Sequence, residues 1–320
     1  MYPSPPLHYK FRAFLLFLPQ LTLNWINIPT MRLSAILRFT AFTLACIMAT
    51  TSTFAQNKNN YIEIPLWEKG LPNSNGTEQL KPDEKQGIYK PLLRVYLPQK
   101  EAAMGRAVIA FPGGGYQGLA YNHEGFDFAP YFNQQGIALI VLIYRMPKGH
   151  REVPITDAEE AIRLVQQHAN DWHINRKDIG IMGSSAGGHL ASTIATHTSA
   201  DLRPAFQILL YPVITMDSTY THQGSRRNLL GKSPATELVD RYSNEKQVTV
   251  ETPRAFIALS DDDTVVPPAN GVNYYLALNQ KQVPASLHIY PTGGHGWGIK
   301  ENFKYHVAFL MELKQWLNSF

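Results

Sequence analysis

The chain has 320 residues, 44% of them hydrophobic and 17% charged, enough to bury a large core without covalent staples. Its formal charge of +4 comes from one end: residues 1–55 hold Lys10, Arg12, Arg32 and Arg38 and no acid, and the remainder balances 25 basic against 25 acidic residues. A neutral body without a basic stripe argues against a nucleic-acid partner, and a single cysteine, Cys46, excludes an intrachain disulfide.

Residues 1–30 carry an apolar patch, Phe11 to Leu23, broken by Pro19, which reads as an upstream extension from a wrongly placed start. After Met31, Arg32 and Arg38 supply a positive n-region, Phe39 to Met48 an apolar stretch, and Thr53-Phe54-Ala55 a small-residue cleavage site. That is the layout of a secretory signal peptide cut near Ala55. The apolar stretch is shorter than the roughly 20 residues a membrane span needs. Residues 56–320 are therefore expected to be exported, periplasmic or secreted, as one domain without a membrane span. Lipid attachment at Cys46 is disfavoured by the preceding Thr43-Leu44-Ala45. Nothing in the sequence fixes an oligomeric state.

From Asn57 onward strand and helix patterns alternate. Leu92 to Tyr96 reads as an early strand, Arg106 to Phe111 as a buried one, and Phe126 to Gln135 as a helix stopped by Gly136. Ile137 to Tyr144 is apolar almost throughout, as an inner parallel strand should be. Ile155 to Trp172 places Ala158, Ala161, Ile162, Val165 and Ala169 on one helical face. There follow a strand at Ile179, a helix, and strands over Phe206–Tyr211 and Ala255–Ser260. A helix over Gly271–Gln280, a strand over Ala285–Tyr290 and a helix over Tyr305–Leu317 complete the chain. Repeated β-α units predict an α/β fold with a mostly parallel, doubly wound sheet flanked by helices. Residues 215–250 break the rhythm with polar, irregular sequence and are expected to form a small cap or lid insertion over the carboxyl ends of the strands.

The chemistry centres on Ser185 in Gly183-Ser184-Ser185-Ala186-Gly187, between the apolar run Ile179–Met182 and the helix opening at Gly188. A G-x-S-x-G in that setting describes a nucleophile elbow, a strained turn that lifts a serine hydroxyl clear of the sheet. A serine needs a base, and the base an orienting acid. His295, in Gly293-Gly294-His295-Gly296-Trp297-Gly298, follows a strand and is flanked by glycines that let the loop swing its imidazole towards Ser185. His189 is nearer in sequence, but its helix points it away from the hydroxyl. Asp261, Asp262 and Asp263 lie on the turn after another strand; Asp263 heads a D-x-x-V-P turn and is favoured, with Asp262 in reserve. The chain order Ser, Asp, His is the one that accompanies this elbow.

Phe111-Pro112-Gly113-Gly114-Gly115-Tyr116 follows a buried strand, where N–H groups unobstructed by Cβ atoms can aim at a developing alkoxide. With the N–H of Ala186 they would form an oxyanion hole, each donor lowering the barrier by about 3 kcal/mol. No Lys-Ser/Thr follows these glycines, so they are not a phosphate cradle. No H-E-x-x-H or paired Cys/His cluster indicates a metal, and no cofactor is expected.

Together Phe111 to Tyr116, the Gly183–Gly187 elbow continuing as Gly188-His189-Leu190-Ala191, the Asp263–Pro267 turn and Gly294-His295-Gly296 resemble the α/β-hydrolase superfamily. They are most similar to its secreted carbohydrate-esterase branch, related to acetylxylan esterases and hormone-sensitive-lipase-like carboxylesterases. The likeness covers nearly all of residues 60–320, including Tyr144-Arg145-Met146-Pro147 and Tyr211-Pro212-Val213-Ile214. It implies Ser185 as nucleophile, His295 as base, Asp263 as orienter, and oxyanion donors at Gly114, Gly115 and Ala186. Many lipolytic relatives carry His before the glycines; here Pro112 stands there, which tilts the expectation from lipase to sugar-ester deacetylation.

The expected activity is therefore hydrolysis of small acyl, chiefly acetyl, esters on a plant polysaccharide such as xylan. Trp297 is expected to stack on a sugar, with Tyr116, Tyr121, Tyr144 and His123 lining the same cleft. Charged residues Arg226, Arg227, Lys232, Asp240 and Arg241 within the insertion argue against a lipase lid. A feruloyl esterase or general short-chain carboxylesterase is the sibling reading. A non-catalytic binding protein on the same fold is the reading of another class.

Overall fold

A computed structural model describes residues 60–320; the leader expected over 1–55 lies outside the described residues. The strands are β1 (Ile62–Pro65), β2 (Leu92–Tyr96), β3 (Ala107–Phe111), β4 (Ala138–Ile143), β5 (Ile179–Ser184), β6 (Phe206–Leu210), β7 (Arg254–Ser260) and β8 (Ala285–Tyr290). The α-helices are α1 (Ala129–Asn133), α2 (Glu152–Gln167), α3 (Ser185–His197), α4 (Gln223–Leu230), α5 (Thr236–Tyr242), α6 (Ala269–Gln280) and α7 (His306–Leu317). No helix among the described residues is long and apolar enough to cross a membrane.

The strands form one sheet in the order β1-β2-β4-β3-β5-β6-β7-β8. β1 and β2 are antiparallel to their neighbours, and β4 through β8 run parallel. Register at the centre places Ile109 between Ile140 and Ile181, and Phe111 opposite Gly183. Every residue of β3, β4, β5 and β6 is buried, as continuous apolar strands covered on both faces must be. The edge strand β1 is largely exposed; four residues gave too short a pattern to mark it as a strand.

Some boundaries move for local reasons. The helix expected over 126–135 splits into a 3-10 turn, Phe126–Phe128, and the short α1, whose first turn takes Pro130. The helix expected over 155–172 begins at Glu152, with Pro154 tolerated in its first turn, and ends at Gln167. Ala169 and Trp172 are still buried, but in the turns that follow. Residues 215–250 hold α4, α5 and a 3-10 turn at Asn244–Lys246.

Parallel strands put their carboxyl ends on one side of the sheet, and the loops leaving those ends meet there. The glycine loop leaves β3, Ser185 leaves β5, Tyr211 leaves β6, Asp263 leaves β7 and His295 leaves β8. Residues far apart in sequence thus converge because their strands are neighbours.

Candidate active site

Ser185 is the first residue of α3 and has a φ of 52°, a conformation few side chains adopt. The turn holds because its neighbours are small: a Cβ on Gly187 would overlap the Phe111 carbonyl oxygen, and one on Gly183 the Gly187 carbonyl oxygen. Behind it the Ser185 carbonyl accepts from Val213 N at 2.9 Å, anchoring the elbow to the segment after β6.

The imidazole of His295 lies across from this hydroxyl, with Nε2 2.8 Å from Ser185 Oγ. Its other nitrogen, Nδ1, is 2.6 Å from Asp263 Oδ2. Asp263 is fixed by Val265 and Val266, whose N–H groups both donate to its second oxygen at 2.9 Å. Asp262 instead accepts from Gly294 N at 2.7 Å, steadying the histidine loop from outside. The structure thus brings Ser185, His295 and Asp263 into one hydrogen-bonded line and sets Asp262 beside it. Tyr211 packs its ring against His295 at 4.9 Å, edge to face, closing the side of the imidazole.

On the opposite wall the glycine loop turns sharply, and a Cβ on Gly114 (φ 136°) would collide with the Gly118 carbonyl. The N–H of Gly113 is taken by Glu124 Oε2 at 2.7 Å. The N–H groups of Gly114 and Gly115 have no acceptor among the described residues. The N–H of Ala186, in the first turn of α3, is likewise beyond the reach of any intrahelical carbonyl. Gly114, Gly115, Ser185 and His295 border one cavity of about 530 Å³.

Its remaining walls mix polar side chains with Ala120, Gly224 and Val265. Gln117 and His123 come from the loop after β3, and His222, Arg227 and Asn228 from the segment between β6 and β7. Asn228 Nδ2 donates to the Gly115 carbonyl at 2.8 Å, tying the segment between β6 and β7 to the glycine loop. The His222 ring accepts from Ser225 N and lies against Gly115. Burial, then the neighbouring His295 and Arg227, push its pKa down. Burial, followed by Lys300, does the same for His123.

Four expected contacts are corrected. Trp297 is 4% exposed, stacked on Phe303 at 4.3 Å, and its indole N–H donates to Ser260 Oγ at 3.0 Å. So large an apolar ring with one polar atom gains more from packing and a partner than from a wet cleft, so it supports the histidine loop and offers no sugar platform. Tyr116 is 3% exposed, with its hydroxyl 2.9 Å from His189 Nδ1. Tyr144 is fully buried and donates to the Pro112 carbonyl at 2.6 Å. Tyr121 donates to Glu84 at 2.5 Å and does not border the cavity. His123 does border it.

His189 points away from Ser185: its Nε2 is 2.8 Å from the Tyr242 carbonyl, so the neutral ring donates there and accepts from Tyr116. Sequence reasoning missed Glu124, Tyr211, His222 and Asn228. Glu124 looks like any surface acid in sequence, and the others become relevant only through contacts between separate loops. The Tyr144–Pro147 motif proves to be structural. Arg145, 2% exposed, grips Asp157 through both Nε and Nη2, and Trp67 donates to the same carboxylate.

Residues 93–278 match the BD-FAE family model. Over 228 residues the chain is 44% identical to an acetylxylan esterase of Xylanibacter ruminicola, covering 70% of this chain and 47% of that one. Over 204 residues it is 36% identical to endo-1,4-beta-xylanase B of Butyrivibrio fibrisolvens, covering 59% of this chain and 32% of that one. The chain thus spans about half the length, or less, of these two relatives. The crystal structure of an acetyl ester-xyloside bifunctional hydrolase from Caldicellulosiruptor lactoaceticus superposes with a TM-score of 0.71 at 33% identity, covering 83% of this chain and 98% of that one. With this fold and this match over more than half its length, the chain belongs to the BD-FAE family of α/β-hydrolases.

Proposed function

We propose that the protein is an exported serine esterase that removes acetyl groups from a plant polysaccharide such as xylan. The observation that carries the reading is the line Ser185 Oγ–His295 Nε2, His295 Nδ1–Asp263 Oδ2 facing the unclaimed N–H groups of Gly114 and Gly115. In this reading His295 Nε2 takes the Ser185 proton as Oγ bonds to the ester carbon. The carbonyl electron pair moves onto oxygen, where Gly114, Gly115 and Ala186 donate to it. Collapse breaks the bond to the sugar oxygen, which leaves with the proton from His295, and Ser185 holds the acetyl group. Water then attacks with His295 again as base, and acetate departs. Asp263 keeps the Nδ1–H tautomer and steadies the imidazolium at both steps.

His123, Gln117, His222, Arg227 and Asn228 on the cavity wall offer hydrogen bonds that a hydroxyl-rich glycan can use and a fatty acyl chain cannot. The names of the similar xylan-related proteins support the same substrate, and the signal-peptide layout of residues 31–55 supports export to where that polymer is found. Acetate release from acetylated xylan, beside ferulate release from feruloylated arabinoxylan, tests the reading. Faster acetate release is expected, and it should vanish in Ser185→Ala. Preferential ferulate release would give the sibling reading. Substantial hydrolysis by Ser185→Ala, or none by the unaltered protein, would overturn it.

A further inference from the structure

Glu124 is a carboxylate for which the reaction drawn above has no task. It is 3% exposed, and no Lys or Arg pairs with it among the described residues; the ion-pair partner within 4 Å is the His123 imidazole, 3.8 Å away. Burying such a group costs several kcal/mol unless its oxygens are hydrogen-bonded. Both are. Oε2 accepts from Gly113 N at 2.7 Å, and Oε1 accepts from the Tyr211 hydroxyl at 2.9 Å. Burial pushes its pKa up, and these two donors, with His295 and Lys300 facing it, pull back towards the charged form.

What the carboxylate holds are two separate sides of the site. Gly113 abuts the nucleophile, since a Cβ there would stand 2.8 Å from Ser185 Cβ. By claiming the Gly113 N–H, Glu124 fixes the loop so that the next two N–H groups are left for the oxyanion. Tyr211, held at a φ of 36°, lies edge-on to His295, and its oxygen accepts from Gly298 N at 2.8 Å in the loop carrying that histidine. The neighbouring His123 carbonyl accepts from Ile299 N at 2.9 Å in the same loop.

We infer that Glu124 is a positioning residue that registers the oxyanion loop against the His295 loop, through Gly113 on one oxygen and Tyr211 on the other. The inference rests on the esterase reading of Ser185. Oxyanion donors and base act together only in the transition state, so misplacing one against the other lowers kcat and spares KM.

The test measures kcat and KM on 4-nitrophenyl acetate for the full chain and for Glu124→Gln, Tyr211→Phe and the double variant. Fluorophosphonate labelling of Ser185 counts the folded sites in each. Glu124→Gln keeps the shape but can accept only one of the two bonds. It is expected to lose roughly 100-fold in kcat, the effect of a misplacement of about 1 Å, with KM within a few-fold. Tyr211→Phe, which leaves Glu124 in place, is expected to lose about tenfold per site labelled. The double variant should be no slower than Glu124→Gln, because both changes break one chain of contacts. Near-normal kcat in Glu124→Gln, a loss carried by KM, or additive losses would overturn the inference while leaving the esterase reading intact. An unaltered protein that labels but cannot hydrolyse the ester would overturn both.

Discussion

His189 and His295 are two imidazoles with one chemistry and two fates. His189, on the second turn of α3, is wholly enclosed, with a phenol on one nitrogen and a backbone carbonyl on the other. His295, on a glycine-flanked loop, keeps 16% of its side chain exposed and stands between a carboxylate and a serine hydroxyl. The first ring cannot take a proton without losing Tyr116 as a donor. The second has an acid ready to balance the charge and a cavity opening beside it. The difference lies in partners and access.

The comparison breaks most violently at the line of three. Ser185→Ala, His295→Ala and Asp263→Asn should each lower kcat on 4-nitrophenyl acetate by about 10⁴-fold, whereas Asp262→Asn, which only loosens the Gly294 contact, should cost a few-fold. Equal losses at the two aspartates would refute the distinction. His189→Ala should act on stability instead. It strips a partner from the Tyr116 hydroxyl and the Tyr242 carbonyl and leaves a cavity, which should cost about 3 kcal/mol in urea unfolding.

Acid sharpens the same contrast. Burial holds the His189 pKa down at about 4, against an ordinary value of 6.5, so the unfolded chain takes up the proton first. The stability this neutral ring contributes is complete above pH 6.5 and is lost as pH falls towards 4. The unfolding free energy of the unaltered protein, less that of His189→Gln, should therefore narrow by about 3 kcal/mol between pH 7 and pH 4. A gap indifferent to pH would show that His189 is not held neutral. The smallest effect is expected at Trp297→Phe. Losing the bond to Ser260 should cost about 1 kcal/mol, and KM for acetylated xylo-oligosaccharides should hold, whereas a marked rise in KM would restore the sugar-stacking role.

Much of this was legible from residues in order. Strand-forming runs gave the parallel sheet, and the paired glycines around Ser185 gave the elbow, because both are local: a tight turn needs small residues wherever the rest of the chain goes. Residues 215–250 stood out by their polarity, and they hold two short helices and a 3-10 turn in place of a further strand. Aromatic residues misled for an equally physical reason. Trp297 and Tyr116 stand beside reactive residues in sequence, but adjacency along a loop says nothing about which way a ring turns, and burial of apolar area drew both inwards.

The amino-acid order alone thus determined the fold class, the serine that the elbow presents, and the histidine and the acidic turn able to serve it, since each rests on spacing within one β-α unit or on residue chemistry. The tertiary structure decided between Asp263 and Asp262, turned His189 into a brace, and placed Glu124 under the glycine loop. Those outcomes depend on which loops lie side by side at the carboxyl ends of parallel strands, and that adjacency is set by the strand order of the sheet, which no single stretch of sequence contains.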